Sequence, residues 1–252
     1  MSTVRQSLDQ FVRHYLLAVQ SFTRVPVRGS LADWIGFTPD MLRASAPHLP
    51  GVGWLVGMAA CVTFAVLSLA LPDGPQTPLA AAVGCTIATV LLTGAVHEKS
   101  LAALLGGPLA LMLAFLAKMT VLAVLAVRSP GGLLTALLAA HTVSRFWPLV
   151  LVHTLPHVGS AGLGERAFAD RLERRALGVG AAWCVVPLAL MALAHGLPFI
   201  AGAVAVSGIA LWATRYWLQR TLRGFNADSL GAAQQVCEIA FYFGAAFGLS
   251  SR

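Results

Sequence analysis

Seven stretches of this chain are each apolar and long enough to cross a bilayer, and that limits its fold more than any other feature. A hydrocarbon core of about 30 Å takes about 20 helical residues, and runs of that kind lie at 51–71, 79–96, 104–127, 132–152, 176–195, 197–217 and 229–249. A mean hydropathy of +0.77 with only 11% charged residues excludes a water-soluble domain of this size. The expected fold is all-α, a polytopic transmembrane helical bundle of about seven spans. Gly196 and Pro198 are the only punctuation between the fifth and sixth runs, and a tight helical hairpin is expected there rather than a re-entrant piece.

Ahead of the bundle, Val4, Leu8, Phe11, Val12, Leu16 and Val19 recur at helical spacing, with Arg5, Asp9 and Arg13 on other faces. That pattern predicts an amphipathic helix lying in the membrane surface. Residues 1–50 thus read as a cytoplasmic or interfacial segment, with residues 28–50 as its linker, and 51–252 as the transmembrane domain. Gly53 and Gly57 give the first span a face for close helix contact.

Charge orients the bundle. With the amino terminus inside, the inside segments hold Arg5, Arg13, Arg24, Arg28, Arg43, Lys99, Arg166, Arg171, Arg174, Arg175, Arg215, Arg220 and Arg223, which is 13 of 17 cationic residues. Outside lie only Arg128 and Arg252, as the positive-inside rule prefers. The net charge of +7 therefore calls for no nucleic acid. The four cysteines fall inside spans without a C-x-x-C spacing, which argues against a disulfide framework or zinc site. The first twenty residues lack the apolar core and small-residue cleavage site of a signal peptide.

The densest polar stretch beside an apolar segment is Arg223–Glu238. If it turns helical at Asp228, then Asp228, Gly231, Gln234, Gln235 and Glu238 share one face, a polar stripe with a glycine gap. A second cluster, His97-Glu98-Lys99, ends the second span on the same side, either as a solvated loop or as part of a site. Lys118, His141, Ser144 and Arg145 lie within spans, where burial is costly, so they should face the bundle and pair with carboxylates, Glu238 and Asp228 being the candidates. The loop 153–175 reads as a charged amphipathic stretch around Glu165, Arg166 and Asp170. His153 and His157 lie four apart with Pro156 between them and no third ligand, so a metal site carries little weight there.

The cytoplasmic ends offer carboxylates at Glu98, Asp228 and Glu238, amides at Asn226, Gln234 and Gln235, and cations at Arg24, Arg145 and Arg223. Magnesium takes hard oxygen ligands and bridges to phosphates, and arginine matches phosphate oxygens, so phosphotransfer at the membrane surface is the chemistry best served. Arg24, beside Pro26, either snorkels or holds a phosphate.

Three patches resemble the cobalamin synthases, adenosylcobinamide-GDP ribazoletransferases of the bacterial inner membrane: Phe22-Thr23-Arg24-Val25-Pro26-Val27, Thr93-Gly94-Ala95-Val96-His97-Glu98, and Gly224 through Glu238. Ser144-Arg145 and Ala169-Asp170-Arg171-Leu172 extend the resemblance. It implies a multi-pass enzyme with a cytoplasmic amino terminus and site. Its reaction joins adenosylcobinamide-GDP to alpha-ribazole or its 5'-phosphate, releases GMP and requires magnesium. On this basis Glu98 and Asp228 are the expected catalytic residues, and with Glu238 the expected magnesium ligands. Arg24, His97, Arg145, Asn226, Gln234 and Gln235 are expected to contact substrate. Other cobalamin-assembly enzymes are implied as neighbours.

The chain departs from the family where His-Glu should enter an acidic loop of the type H-E-D-G-x-A-D-x-x-D-G. Here His97-Glu98 runs directly into Lys99-Ser100-Leu101-Ala102-Ala103-Leu104-Leu105, and the segment is shortened by some tens of residues. Two alternatives therefore stand beside the transferase: a membrane homologue without turnover that binds corrinoid or scaffolds its neighbours, and a small-solute permease, which would call for an inverted repeat.

Overall fold

In the computed structural model, which describes residues 2–159, 168 and 170–250, the runs at 51–71, 132–152, 176–195, 197–217 and 229–249 each lie on one helix to within a residue. Those at 79–96 and 104–127 instead run across helix breaks at Gly94-Ala95 and Gly106-Gly107, which corrects the expected count of seven uninterrupted spans. Before them come α1 (Ser2–Phe22), α2 (Ser30–Ile35) and α3 (Pro39–Ser45). The stretch 28–50 is thus largely helical, although its Pro, Gly and Asp content reads as linker. Pro39 opens α3, and the Thr38 side chain accepts a hydrogen bond from Met41 N at 3.1 Å, the ordinary way to satisfy an orphan amide at a helix start.

The bundle consists of α4 (Leu49–Ala70), α5 (Thr77–Thr93), α6 (Val96–Leu105), α7 (Pro108–Arg128), α8 (Pro130–Thr154), α9 (Arg174–His195), α10 (Leu197–Thr221) and α11 (Ala227–Ser250). Between α9 and α10 the single residue Gly196, with φ 80°, makes the predicted tight hairpin. Gly53 and Gly57 on α4 lie against the α8 backbone at His141 and Leu138, the close contact their spacing predicts.

Hydropathy and burial separate lipid-facing from enclosed helices. Helices α4, α7, α8, α9 and α10 are each long and apolar enough to span, and α5 with α6 makes a sixth span bent by 95°. The apolar window of α8 is 72% buried, against 22–33% for the other four, so α8 runs through the interior. Helix α11 is not among the apolar spans. It packs against α6, α7, α8 and α10, and a helix enclosed by protein can carry a polar stripe at little cost.

Helix α6 was expected as part of an inside loop. Gly94 (φ 72°) and Ala95 (φ 60°) take consecutive left-handed conformations, which turns the chain through the 95° bend and starts a new helix immediately. The result buries His97 and Glu98, each 6% exposed, so the solvated-loop alternative is corrected.

One end of the bundle gathers the connections. Val158 N donates to Phe225 O at 2.8 Å and Phe225 N to Pro156 O at 2.9 Å, joining the end of α8 to the start of α11, while Arg24 N donates to Leu92 O at 2.7 Å and ties α1 to α5. Arg43 pairs with Asp170 at 2.8 Å. Arg24, Arg28, Arg43, Lys99, Arg171, Arg174, Arg175, Arg220 and Arg223 are exposed around this end, and Arg128 stands at the other. Glu165 and Arg166 of the predicted charged loop, and Arg252, lie outside the described residues.

Candidate active site

The polar stripe of α11 begins where Asn226 caps the helix. Its side-chain oxygen accepts from Ser229 N at 2.9 Å, and Ser229 Oγ in turn accepts from Asn226 N at 2.9 Å, a reciprocal cap of two orphan amides. Asn226, expected to contact substrate, thus has its carbonyl engaged in holding the helix start. One turn on, Gly231 provides the gap read in the sequence. A methyl group there would meet Ser100 Cβ at 2.6 Å, so α6 can lie on α11 only because this residue has no side chain.

That contact makes a cleft. Ser21 and Phe22 at the end of α1, the α2–α3 region, Val96, His97, Lys99 and Ser100 of α6, Pro148 of α8, His157, Phe168, and Phe225, Asp228, Leu230, Gly231 and Gln234 border about 660 Å³. Its walls are mainly apolar. Asp228 and Lys99 are exposed where they line it, whereas His97 and Gln234 are buried. Both ring nitrogens of His97, and Nε2 of Gln234, have no hydrogen-bond partner among the described residues. Buried polar atoms are normally paired, so these nitrogens, with Nε2 of His157 on the same wall, are left for a ligand.

Deeper along α11 the stripe is engaged. Gln235 Nε2 donates to Glu98 Oε1 at 2.7 Å, pinning α6 to α11 and leaving Glu98 Oε2 buried without a partner. Glu238 lies one turn further in, 2.6 Å from Lys118 Nζ of α7 and 3.3 Å from His141 Nδ1 of α8, with the Tyr242 hydroxyl donating to it at 3.5 Å. Lys118 therefore faces the bundle and pairs with a carboxylate, as the cost of burial predicts. Arg145 Nη1 donates to His141 O at 2.8 Å and lies 3.3 Å from His141 Nδ1. At 1% exposure, Arg145 belongs to this internal cluster and is not a cleft residue, where a phosphate contact was expected.

The predicted magnesium ligands are not brought together. Asp228 is at the helix mouth and Glu238 ten residues on, about 15 Å along the axis at 1.5 Å per residue, with Glu98 level with Gln235 between them. Glu238 is already held by Lys118 and His141, and among the described residues no group of three or more His, Cys, Asp or Glu side chains forms a metal-binding cluster. The described residues thus do not by themselves form a ready-made magnesium site. His153 and His157 do not form a metal pair either: His153 Nδ1 lies 2.7 Å from Leu172 O, and the His157 ring packs edge-on to Phe225.

Arg24 is exposed outside the cleft, its side chain lying across Gly94 at the α5–α6 bend. Sequence reasoning missed the cleft's apolar walls, Phe22, Phe168, Phe225, Leu230 and Pro148 among them. The one available signal was Phe225, a large aromatic residue inside an otherwise polar stretch.

The cobalamin-5-phosphate synthase family matches residues 14–104 and 105–246. Adenosylcobinamide-GDP ribazoletransferase of Albidiferax ferrireducens is 42% identical over 280 residues, covering 96% of this chain and 100% of the relative. The enzyme of that name from Polaromonas naphthalenivorans is 44% identical over 276 residues, covering 95% and 99%. No solved structure matches the chain. Both alignments are longer than the 252 residues of the chain, so the relatives carry residues that it lacks. The two matched pieces meet between 104 and 105, at the end of α6, close to where the sequence is shortened.

Proposed function

Because the chain belongs to the cobalamin-5-phosphate synthase family, we propose that it is an adenosylcobinamide-GDP ribazoletransferase working at the cytoplasmic face of a bacterial inner membrane. It joins adenosylcobinamide-GDP to alpha-ribazole or its 5'-phosphate and releases GMP. The observation that carries this reading is the cleft between α6 and α11: both walls lie within the family match, and exposed Asp228 shares it with the unpartnered nitrogens of His97 and Gln234. The exposed cations at the cleft end favour the cytoplasmic orientation.

In the reaction a ribose hydroxyl of the acceptor attacks the phosphorus that carries the corrinoid. A new P–O bond forms, the phosphoanhydride bond to GMP breaks, and GMP leaves with the electron pair. Asp228 accepts the hydroxyl proton, since it is the one exposed carboxylate lining the cleft among the described residues, and a positioned base of this kind contributes about 10²–10⁴ in rate. Lys99 on the cleft wall, with Arg24 and Arg223 exposed at the same end, draws the donor's diphosphate. Magnesium enters this reading as the counter-ion that the diphosphate brings with it, since the described residues offer no cluster to hold one in advance.

None of the relatives named above is called a scaffold or a permease. The test is GMP release by the full chain in lipid nanodiscs supplied with adenosylcobinamide-GDP and alpha-ribazole, with and without magnesium. Release that requires both substrates supports the transferase. Its absence under all conditions, with the protein folded, refutes turnover and leaves the corrinoid-binding alternative.

A further inference from the structure

We infer that the α6–α11 cleft is the acceptor subsite: it takes the benzimidazole nucleoside, while the corrinoid nucleotide remains outside at the cationic rim. This rests on the transferase reading and concerns which substrate the cleft selects. Size is the first argument. Pockets of ~300–1,000 Å³ enclose most of a drug-sized ligand, and at about 660 Å³ this one suits a nucleoside. The corrinoid nucleotide is several times larger.

The second argument is polarity. The cleft walls are aromatic and aliphatic, with Phe22, Phe168 and Phe225 among them, and the buried unpartnered side-chain atoms on residues that line it are nitrogens of Gln234, His97 and His157. A benzimidazole bonded to ribose keeps one free ring nitrogen, an acceptor that a single N–H donor satisfies. Guanine presents donors and acceptors along its whole edge, and most would be buried unpaired here, which is costly. Diphosphate oxygens call for cations, and none is buried among the residues lining the cleft. Lys99 is exposed on its wall, and Arg24 and Arg223 are exposed nearby. The division places the acceptor's ribose toward Asp228, at the boundary between the apolar cleft and the charged rim.

Binding separates this inference from turnover. Alpha-ribazole and GMP are titrated separately onto the full chain in nanodiscs, as the unaltered protein, as Val96→Trp and as His97→Gln. Val96 lines the cleft but is 53% exposed, so an indole there fills the cleft without rebuilding the core. Both variants are expected to weaken alpha-ribazole binding tenfold or more and to leave GMP binding within twofold. If alpha-ribazole fails to bind the unaltered chain, or its affinity is unchanged in both variants, or GMP alone loses affinity, the assignment is overturned. Acceptor binding without GMP release would uphold the subsite and refute the transferase. GMP release with acceptor affinity indifferent to both variants would do the reverse.

Discussion

The two halves of the α11 polar stripe, Asp228–Gln234 and Gln235–Tyr242, face different partners. In the outer half, Gly231 seats α6, Asp228 is exposed, and the Gln234 amide nitrogen has no hydrogen-bond partner among the described residues. In the inner half, Gln235 is bonded to Glu98, and Glu238 holds Lys118, His141 and Tyr242. One face of one helix thus changes from spare polar groups to engaged ones within a turn. Polar residues inside a membrane protein therefore do not announce a site by themselves; what distinguishes a site is polarity that the protein leaves unpaired beside a cavity.

The sharpest way to break this contrast is Glu238→Leu, which leaves Lys118 buried without its carboxylate. Removing one partner of a buried ion pair costs about 3–5 kcal/mol, so thermal unfolding in detergent should shift steeply downward. All four cysteines are free and buried or half-buried, and labelling by a thiol-reactive dye reports the transition. The double variant Glu238→Leu with Lys118→Met should recover most of the stability, because an apolar pair of similar size often replaces a buried ion pair without loss. If stability returns and GMP release returns with it, Glu238 is a packing residue. Stability recovered without activity would restore it as a candidate magnesium ligand.

Asp228→Asn is the counterpart in the outer half. The side chain is exposed and makes no ion pair among the described residues, so the unfolding transition should stay close to that of the unaltered protein. GMP release should fall by at least about 10²-fold, the lower range for loss of a general base. Unimpaired release would remove Asp228 from the chemistry.

The sequence read the inner half better than the outer one, for a physical reason. A lysine and a glutamate in separate apolar spans must find each other or another charge, so the Lys118–Glu238 pair followed from the cost of burial. The spanning helices α4, α7, α8, α9 and α10 followed from hydrophobic length, and the glycine gap at 231 from helical spacing. Helix α6 was not legible, because its existence depends on a bend in which alanine adopts a left-handed conformation, and Ala95 carries no signal for that. The cleft was illegible for the same reason, since its walls meet only once α6 folds back onto α11. The capping role of Asn226 was not legible, because amide side chains serve equally as caps and as ligands, and only the geometry at Ser229 shows the cap.

Between the halves, Gln235→Leu should cost about 1–3 kcal/mol, the penalty for leaving a buried polar group unpaired, because Glu98 would then have neither oxygen bonded. The loss should appear both as a lower unfolding temperature and as faster labelling of Cys237 below the transition, since α6 covers this part of α11. An unaltered labelling rate would mean that the backbone contact at Gly231 alone holds α6.

The smallest effect is expected at the bend that makes α6. A left-handed residue with a side chain is disfavoured by roughly 1–2 kcal/mol, and Ala95 has φ 60°. Ala95→Gly relieves that strain but gives the unfolded chain more freedom, an opposing contribution of about 0.4–1 kcal/mol. The net gain should therefore lie between zero and about 1.6 kcal/mol, a slightly higher unfolding temperature, with the affinity for alpha-ribazole unchanged. A large loss of affinity with stability preserved would show that the methyl group of Ala95 stiffens the bend enough to hold His97 against the cleft, and would extend the outer half of the contrast from α11 into the turn before α6.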